Sequence, residues 1–331
     1  MKAIEIQEWT SPDRLAVHGV PEPVCGAQDV LIRVRSAAVS YSLSLLVAGR
    51  YQRKPPLPFV PGNTAAGEVL AVGSAVSRVR PGDRVLAALE CGGLAEQALA
   101  HEDNVYSIPS TMPFAEATAL NTSYNSAAAA LTWPHLLNVQ AGQSLLVTGA
   151  AGGVGVAAIQ IGRLLGATVV AAASTPEKHA HALHEGAHHA VTADPRTLRD
   201  EVLRAMDGRA IDRALEPVGG ALFQQVLRCL APEGRVLPIG FAGGEIPQIP
   251  ANLLLVKNIT VCGLYMGYYK IDARAAHAER VRALFALLSQ WWLEGKIRPA
   301  ISGRYPLERI SDAFGQVLDR TNFGHVVIEI G

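Results

Sequence analysis

Cysteine is scarce in this 331-residue chain, and what there is lies scattered: Cys25, Cys91, Cys229 and Cys262 form no CxxC pair. That spacing excludes a disulfide framework and a clustered zinc lobe, leaving reduced thiols, with Cys229 and Cys262 in apolar, core-like surroundings. An excess of charge is missing too. Lys plus Arg and Asp plus Glu number 29 each, with no long block of either sign, so a nucleic acid would find no basic footprint. Lys, Arg, Glu, Gly or Pro interrupts every apolar run before it reaches membrane-spanning length. The first residues, MKAIEIQEWT, alternate like a strand and lack the apolar core and cleavage site of a signal peptide, so the expected location is cytoplasmic. A hydrophobic fraction of 49% against 18% charged residues suits a compact chain rather than a disordered one, and the length suits two domains.

What is present is a regular alternation in the second half. Short apolar runs at 144–148, 168–173, 189–192, 211–216, 235–239 and 259–263 read as strands, and helical stretches at 153–165, 176–185, 197–206 and 221–230 fit between them. Six strands with helices between them predict an α/β, doubly wound parallel sheet of the Rossmann type. The first ~120 residues differ. Strands such as 29–34, 67–72 and 83–88 alternate and are broken by Pro and Gly, as in an irregular antiparallel β domain. A long amphipathic helix at 275–294 and a final strand at 325–330 follow the sheet, and this tail can return to the first domain and make it discontinuous.

One glycine-rich turn carries chemistry. Gly149-Ala150-Ala151-Gly152-Gly153-Val154-Gly155 sits directly between the first strand of the alternating half and its helix. In that context Gly152 lets the main chain approach a pyrophosphate, and Gly155 lets the helix pack close to the strand. The unpaired N–H groups of the helix start, with its positive dipole end, then face the phosphates. Cofactor choice falls to the end of the next strand, where an acid about 20 residues on would hydrogen-bond a ribose 2′-hydroxyl and repel a 2′-phosphate. Here the chain reads Ala171-Ala172-Ala173-Ser174-Thr175-Pro176-Glu177-Lys178, with no acid at the strand end. Ser174 can donate to a phosphate and Lys178 can supply charge, so the expected cofactor is NADPH; the plain alternative for Lys178 is a solvated helix lysine.

The chain resembles the zinc-independent quinone oxidoreductase branch of the medium-chain dehydrogenase/reductase superfamily along essentially its whole length. The resemblance rests on the glycine turn, on Lys54-Pro55-Pro56-Leu57-Pro58-Phe59-Val60-Pro61-Gly62, on Val79-Arg80-Pro81-Gly82-Asp83-Arg84-Val85, on Glu216-Pro217-Val218-Gly219-Gly220 and on the stretch from Gly240-Phe241 to Asn252-Leu253. It implies a catalytic GroES-like domain (1–122 and 290–331), a nucleotide domain (123–289), substrate held in the cleft between them, and a homodimer joined near 259–263. Zinc-dependent members carry a Cys within the stretch occupied here by Ala38-Val39-Ser40-Tyr41, and Gly-His-Glu where this chain has Gly62-Asn63-Thr64, so the family's zinc ligands are missing. Without a Lewis acid, hydride delivery to a quinone or an α,β-unsaturated carbonyl is the expected chemistry.

The resemblance implies roles for several residues. Tyr51 matches a cleft tyrosine able to donate to the carbonyl oxygen; its plain alternative is a half-buried loop aromatic. Ser40 stands where many relatives have an Asn beside the nicotinamide. Ser126, in Tyr124-Asn125-Ser126, keeps the hydroxyl of the relatives' Tyr-Gly-Thr near the nicotinamide ribose. Ala151, Gly152, Gly153 and Val154 of the turn, with Val218, Gly240 and Phe241 at later strand ends, complete the expected cofactor contacts. Asn322 falls in a tail that several relatives fold over the cofactor, with His325 replacing their usual Lys.

Other readings compete. His179, His181, His184, His188 and His189 crowd one segment, and some spacings can share a helix face, but Gly186 breaks the helix and no carboxylate completes a ligand set, which favours a solvated face. A short-chain reductase is a poor match, because no Tyr is followed four residues later by Lys and the glycine turn lies mid-chain. An NADPH-binding sensor or structural protein with little turnover shares the fold, and Ser40 in place of Asn encourages that reading. The partner expected throughout is a small molecule, with neither nucleic acid nor membrane.

Overall fold

A computed structural model describes residues 1–331, which divide into two compact units. Unit 1 comprises Met1–Thr122, Met266–Leu293 and Arg298–Gly331; unit 2 comprises Ser123–Tyr265 and Glu294–Ile297. No helix is long and apolar enough to cross a membrane.

In chain order, unit 1 begins with a small ladder of β1 (Lys2–Ile4) and β2 (Val17–Gly19). Next come β3 (Asp29–Val39), α1 (Tyr41–Val47), β4 (Thr64–Val72), β5 (Arg84–Ala88), β6 (Gln97–His101), β7 (Val105–Ser107) and α2 (Phe114–Ala119). β3 runs five residues beyond its expected end because its later half, Ser36 to Val39, pairs with a strand from the far end of the sequence. β3 is the hub: it pairs antiparallel with β4 and with β6, and Val30, Ile32 and Val34 alternate into the core with Val69, Val85 and Ala98.

Unit 2 holds the alternating half: α3 (Asn125–Thr132), β8 (Ser144–Val147), α4 (Gly153–Leu164), β9 (Thr168–Ala173), α5 (Pro176–His184) and β10 (His189–Thr192). It continues through α6 (Leu198–Ala205), β11 (Ile211–Glu216), α7 (Gly220–Cys229), β12 (Leu230–Pro238), α8 (Ala251–Lys257) and β13 (Thr260–Val261). All six strands are parallel in the order β10-β9-β8-β11-β12-β13, the doubly wound arrangement that reverses direction between β8 and β11. The central strands are apolar because helices cover both faces: Leu145, Leu146 and Val147 are fully buried, as are Val169 and Val170. β13 is shorter than expected, since it touches the sheet only beside Arg235 and Val236, and Asn258 in the left-handed region (φ 52°) ends the helix just before it.

The chain then returns to unit 1 through α9 (Arg274–Leu293), β14 (Ile301–Pro306), α10 (Ile310–Leu318) and β15 (His325–Glu329). β15 pairs with β3, and β14 adds beside it, completing a sheet ordered β14-β15-β3-β4-β5-β7. α9 is held by Phe285 stacking on Tyr106 at 4.0 Å between ring centres and by Trp292, whose Nε1 donates to Glu116 at 2.6 Å.

Candidate active site

In unit 2 the candidate cofactor residues, apart from Ser126 on α3, fall just beyond the C-terminal ends of four adjacent strands, β9, β8, β11 and β12, astride the point where the strand order reverses. That is where open parallel sheets bind ligands. The turn after β8 is tied to both neighbours: Ala150 N donates to Ala172 O on β9 (3.3 Å) and Thr148 N to Leu215 O on β11 (3.2 Å). Gly149 lies in the left-handed region (φ 55°), which admits glycine readily. Gly152 caps α4 in an extended conformation, so the first-turn N–H groups of Gly153, Val154 and Gly155 have no intrahelical partner and face outward at the dipole's positive end.

The two later glycines are required for different reasons. A Cβ on Gly155 would lie 2.4 Å from Gly149 O and 2.7 Å from Ala150 Cα, so backbone forbids it. A Cβ on Gly152 would meet nothing closer than Gly149 O at 3.5 Å, so the protein itself does not demand glycine there.

At the end of β9, Ser174 is exposed and Lys178 lies one turn into α5, its Nζ 3.5 Å from Ser174 Oγ. Thr175 caps that helix by accepting from Lys178 N, and Pro176 occupies its first turn. Beyond β11, Val218 meets the 240–245 loop: Ala242 N donates to Pro217 O (2.9 Å) and Gly243 N to Val218 O (2.7 Å), which places Gly240 and Phe241 beside Val218. Ser126 begins α3, where its Oγ bonds Asn125 Oδ1 at 3.1 Å.

Glu216, which the sequence offers only as the first residue of Glu216-Pro217-Val218-Gly219-Gly220, holds this edge together. Its fully buried carboxylate accepts from Thr148 Oγ1 (2.9 Å), Val218 N (2.9 Å) and Gly219 N (2.8 Å), joining the loops after β8 and β11. Burial raises its pKa, and the three hydrogen bonds oppose that shift. The available signal was an acid closing an otherwise apolar strand.

In unit 1, Ser40 caps α1: its Oγ accepts from Leu43 N (3.3 Å) and sits 3.0 Å from Ser42 Oγ. Tyr51 follows that helix and packs half-buried against the core; its hydroxyl makes no hydrogen bond within the protein. Burial pushes its phenol pKa up, against the opposing effect of Arg53, which is itself bonded to Glu90 (2.7 Å) and to Asp272. Asn322 belongs to this unit as well, donating to Gly324 O at 2.9 Å. His325 is buried, its Nδ1 3.3 Å from Ala300 O, and burial lowers its pKa to about 4.

The residues standing where zinc-dependent relatives place Gly-His-Glu are bonded to one another. Asn121 Nδ2 donates to Thr64 Oγ1 (2.7 Å) and to Asn63 O (3.2 Å), and Thr64 Oγ1 donates to Asn63 Oδ1 (3.3 Å). Amides and hydroxyls in place of imidazole and thiolate do not fit a catalytic zinc. No group of three or more His, Cys, Asp or Glu side chains stands together in a way that could hold a metal. In the histidine segment, His179 bonds Ala173 O (2.9 Å), His181 pairs with Glu185 (3.8 Å) and His188 accepts from Val169 N (3.0 Å), so these rings serve local structure.

Two family models match this chain: alcohol dehydrogenase GroES-like domain over residues 26–110, and zinc-binding dehydrogenase over 153–285. The fold therefore defines a medium-chain dehydrogenase/reductase. Within that superfamily the chain belongs to the quinone oxidoreductase branch. It is 38% identical to quinone oxidoreductase-like protein 2 homolog of Nematostella vectensis, over 92% of this chain and 82% of that one. It is 31% identical to human quinone oxidoreductase, over 96% and 94% of the two chains. A mycobacterial structure complexed with NADPH superposes with a TM-score of 0.91 at 26% identity, covering 99% of this chain and 100% of that one.

Proposed function

We propose that the chain is an NADPH-dependent reductase that delivers hydride to a quinone or an α,β-unsaturated carbonyl. The observation that carries this reading is the edge of unit 2: a pyrophosphate-sized turn at a helix N-terminus, beside a strand end that offers Ser174 and Lys178 and no acid. Relatives that are quinone oxidoreductases, and a similar mycobacterial protein complexed with NADPH, support it. Bound NADPH supplies the hydride. Ala151, Gly152, Gly153 and Val154 hold the pyrophosphate with backbone N–H groups, and Ser174 with Lys178 binds the 2′-phosphate. Val218, Gly240 and Phe241 shape the wall over the later strands, and Ser126 reaches the nicotinamide ribose. Asn322 adds a polar contact from the tail. Tyr51 offers a free hydroxyl to the acceptor's oxygen, while Ser40 positions that region by capping α1.

The same reading takes the protein as a homodimer. β13 is an open sheet edge, and the neighbouring segments expose Ile246 (68%), Leu255 (79%) and Val256 (77%), apolar surface that a second copy would cover. Sedimentation would give twice the 35.0 kDa chain mass, and Leu255→Glu would return it to the monomer.

The test of function is direct. Purified protein, with no metal added, is expected to oxidise NADPH when 1,4-naphthoquinone or 2-cyclohexenone is present. Tight NADPH binding without reduction of either acceptor class would instead favour a sensor.

A further inference from the structure

Three helices of unit 2 each bring one cation to the same hollow. Arg199 comes from the first turn of α6, Arg228 from the last turn of α7 and Lys257 from the end of α8, and Pro250, Asn252 and Leu253 form the rest of the wall. The hollow holds about 450 Å³, within the roughly 300–1,000 Å³ that small-ligand sites occupy. Its shape belongs to the fold. Leu253 and Leu254 pack α8 on the core of unit 2, and Gln224 of α7 donates to Gln248 O just before α8. Lys257 Nζ donates to Leu227 O and Arg228 O, both at 3.1 Å, which fixes the ammonium at the end of α7 and leaves its third N–H unspent. None of the candidate cofactor residues lines this hollow.

The three cations have little to neutralise them. No acid lines the hollow. Arg228 has no carboxylate partner, and Arg199 has only Asp200 at 3.6 Å, an exposed pair of little worth. The neighbouring Cys229 thiol is fully buried and supplies no charge, because burial pushes its pKa up to about 11 even with Lys257 and Arg199 nearby. Burial lowers the Lys257 pKa, and the Arg199 charge lowers it further, so these groups repel one another. Ordinary surface cations spread apart into water, whereas these are gathered into one concavity, which concentrates their field on whatever enters it.

We propose that this hollow is a second anion site, one that holds the phosphate of a small soluble phosphorylated metabolite. The two guanidinium groups offer planar N–H forks to phosphate oxygens, the ammonium adds a point charge, and Pro250 with Leu253 receives the carbon part. A phosphate monoester carries about −1.5 to −2 charge at neutral pH, which three cations match better than they match a single carboxylate. A nucleic acid would need a longer basic track, and the chain's charges otherwise balance at 29 of each sign. Binding here makes and breaks no covalent bond, and it does not depend on the reductase reading.

The test uses full-length protein saturated with NADPH and titrates glycerol 3-phosphate or pyrophosphate by calorimetry, with glycerol as the uncharged control. The expected Kd is about 1 mM or tighter at low salt, weakening severalfold between ~20 and ~200 mM NaCl, and glycerol gives no heat. Arg199→Gln and Arg228→Gln should each weaken phosphate binding by about tenfold or more, the worth of one charge-assisted contact, and leave Tm, KM for NADPH and kcat unchanged. Lys178→Ala should leave phosphate binding as it is. A second measurement needs no variant: glycerol 3-phosphate should slow phenylglyoxal labelling of Arg199 and Arg228, read by peptide mass spectrometry. Binding that both arginine variants retain, or that Lys178→Ala abolishes, overturns the proposal. So does labelling of the two arginines that neither phosphate slows. Attachment to phosphatidic acid vesicles without binding of free phosphates overturns it too. A lower sedimentation mass for Arg228→Gln with phosphate binding intact would give the cations to a contact between copies and end the proposal.

Discussion

Replacing each of two glycines by alanine separates what the cofactor needs from what the fold needs. At Gly155 the new methyl would stand 2.4 Å from Gly149 O, 2.7 Å from Ala150 Cα and 2.8 Å from Ala150 C, all backbone. To reach an ordinary separation the start of α4 must move off the β8 turn by about 1 Å, an overpacking strain near the upper end of 1–3 kcal/mol. Alanine's better helix propensity returns about 1 kcal/mol. The net expectation is ~2 kcal/mol of destabilisation, or roughly 4–8 °C in Tm for a chain of this kind. Gly152→Ala meets only an ordinary contact at 3.5 Å, and its φ of −79° suits alanine, so Tm should stay within about 1 °C. Its NADPH affinity should nonetheless fall at least tenfold, because the methyl occupies the path of the pyrophosphate. Thermal melts of the free protein and fluorescence titration with NADPH read the two quantities separately. A Gly155→Ala protein as stable as wild type would refute the packing argument, and a Gly152→Ala protein with unaltered NADPH affinity would remove the pyrophosphate from this turn.

Three further outcomes follow from the same geometry. Lys178→Ala should raise KM for NADPH by roughly 10–100-fold, the worth of one charge-assisted phosphate contact, while leaving KM for NADH nearly unchanged; equal effects on both would take Lys178 away from the 2′-phosphate. Tyr51→Phe should lower kcat for 2-cyclohexenone by about tenfold or more with no loss of Tm, since the hydroxyl has no internal partner to forfeit, and an unaltered kcat would exclude it as a donor. His325, whose pKa falls from 6.5 to about 4 on folding, resists protonation in the native state, so its contribution to stability is present above pH 6.5 and lost as the pH falls through 4. That contribution is at most about 3 kcal/mol, of which about 2 should be gone by pH 5. Urea denaturation of wild type and His325→Gln at pH 7 and pH 5 measures it, and parallel losses in both proteins would contradict the assignment.

Local chemistry made much of unit 2 legible. β9, β10 and β11 begin and end where apolar runs meet Gly, Pro or a capping residue, and the glycine turn announced both the strand before it and the helix after it. What stayed hidden depends on residues distant in sequence. The second half of β3 is defined by β15, and the place of α9 by Tyr106, neither of which periodicity can foresee. The candidate cofactor residues could be picked out because they belong to short motifs, but Glu216 could not, since a buried acid gains its meaning only when three donors converge on it.

The insertion of β15 beside β3 also bears on how the protein assembles. Val39 and Val326 are partners although roughly 290 residues separate them, whereas every pairing of the six-stranded sheet closes within Ser144–Val261. On the ribosome, the nucleotide-binding sheet can therefore be complete while the hub strand of unit 1 still has an open side, waiting for the final strand to emerge. A truncation that removes only His325–Glu329 would leave unit 2 able to capture cofactor and unit 1 with an unpaired edge prone to self-association.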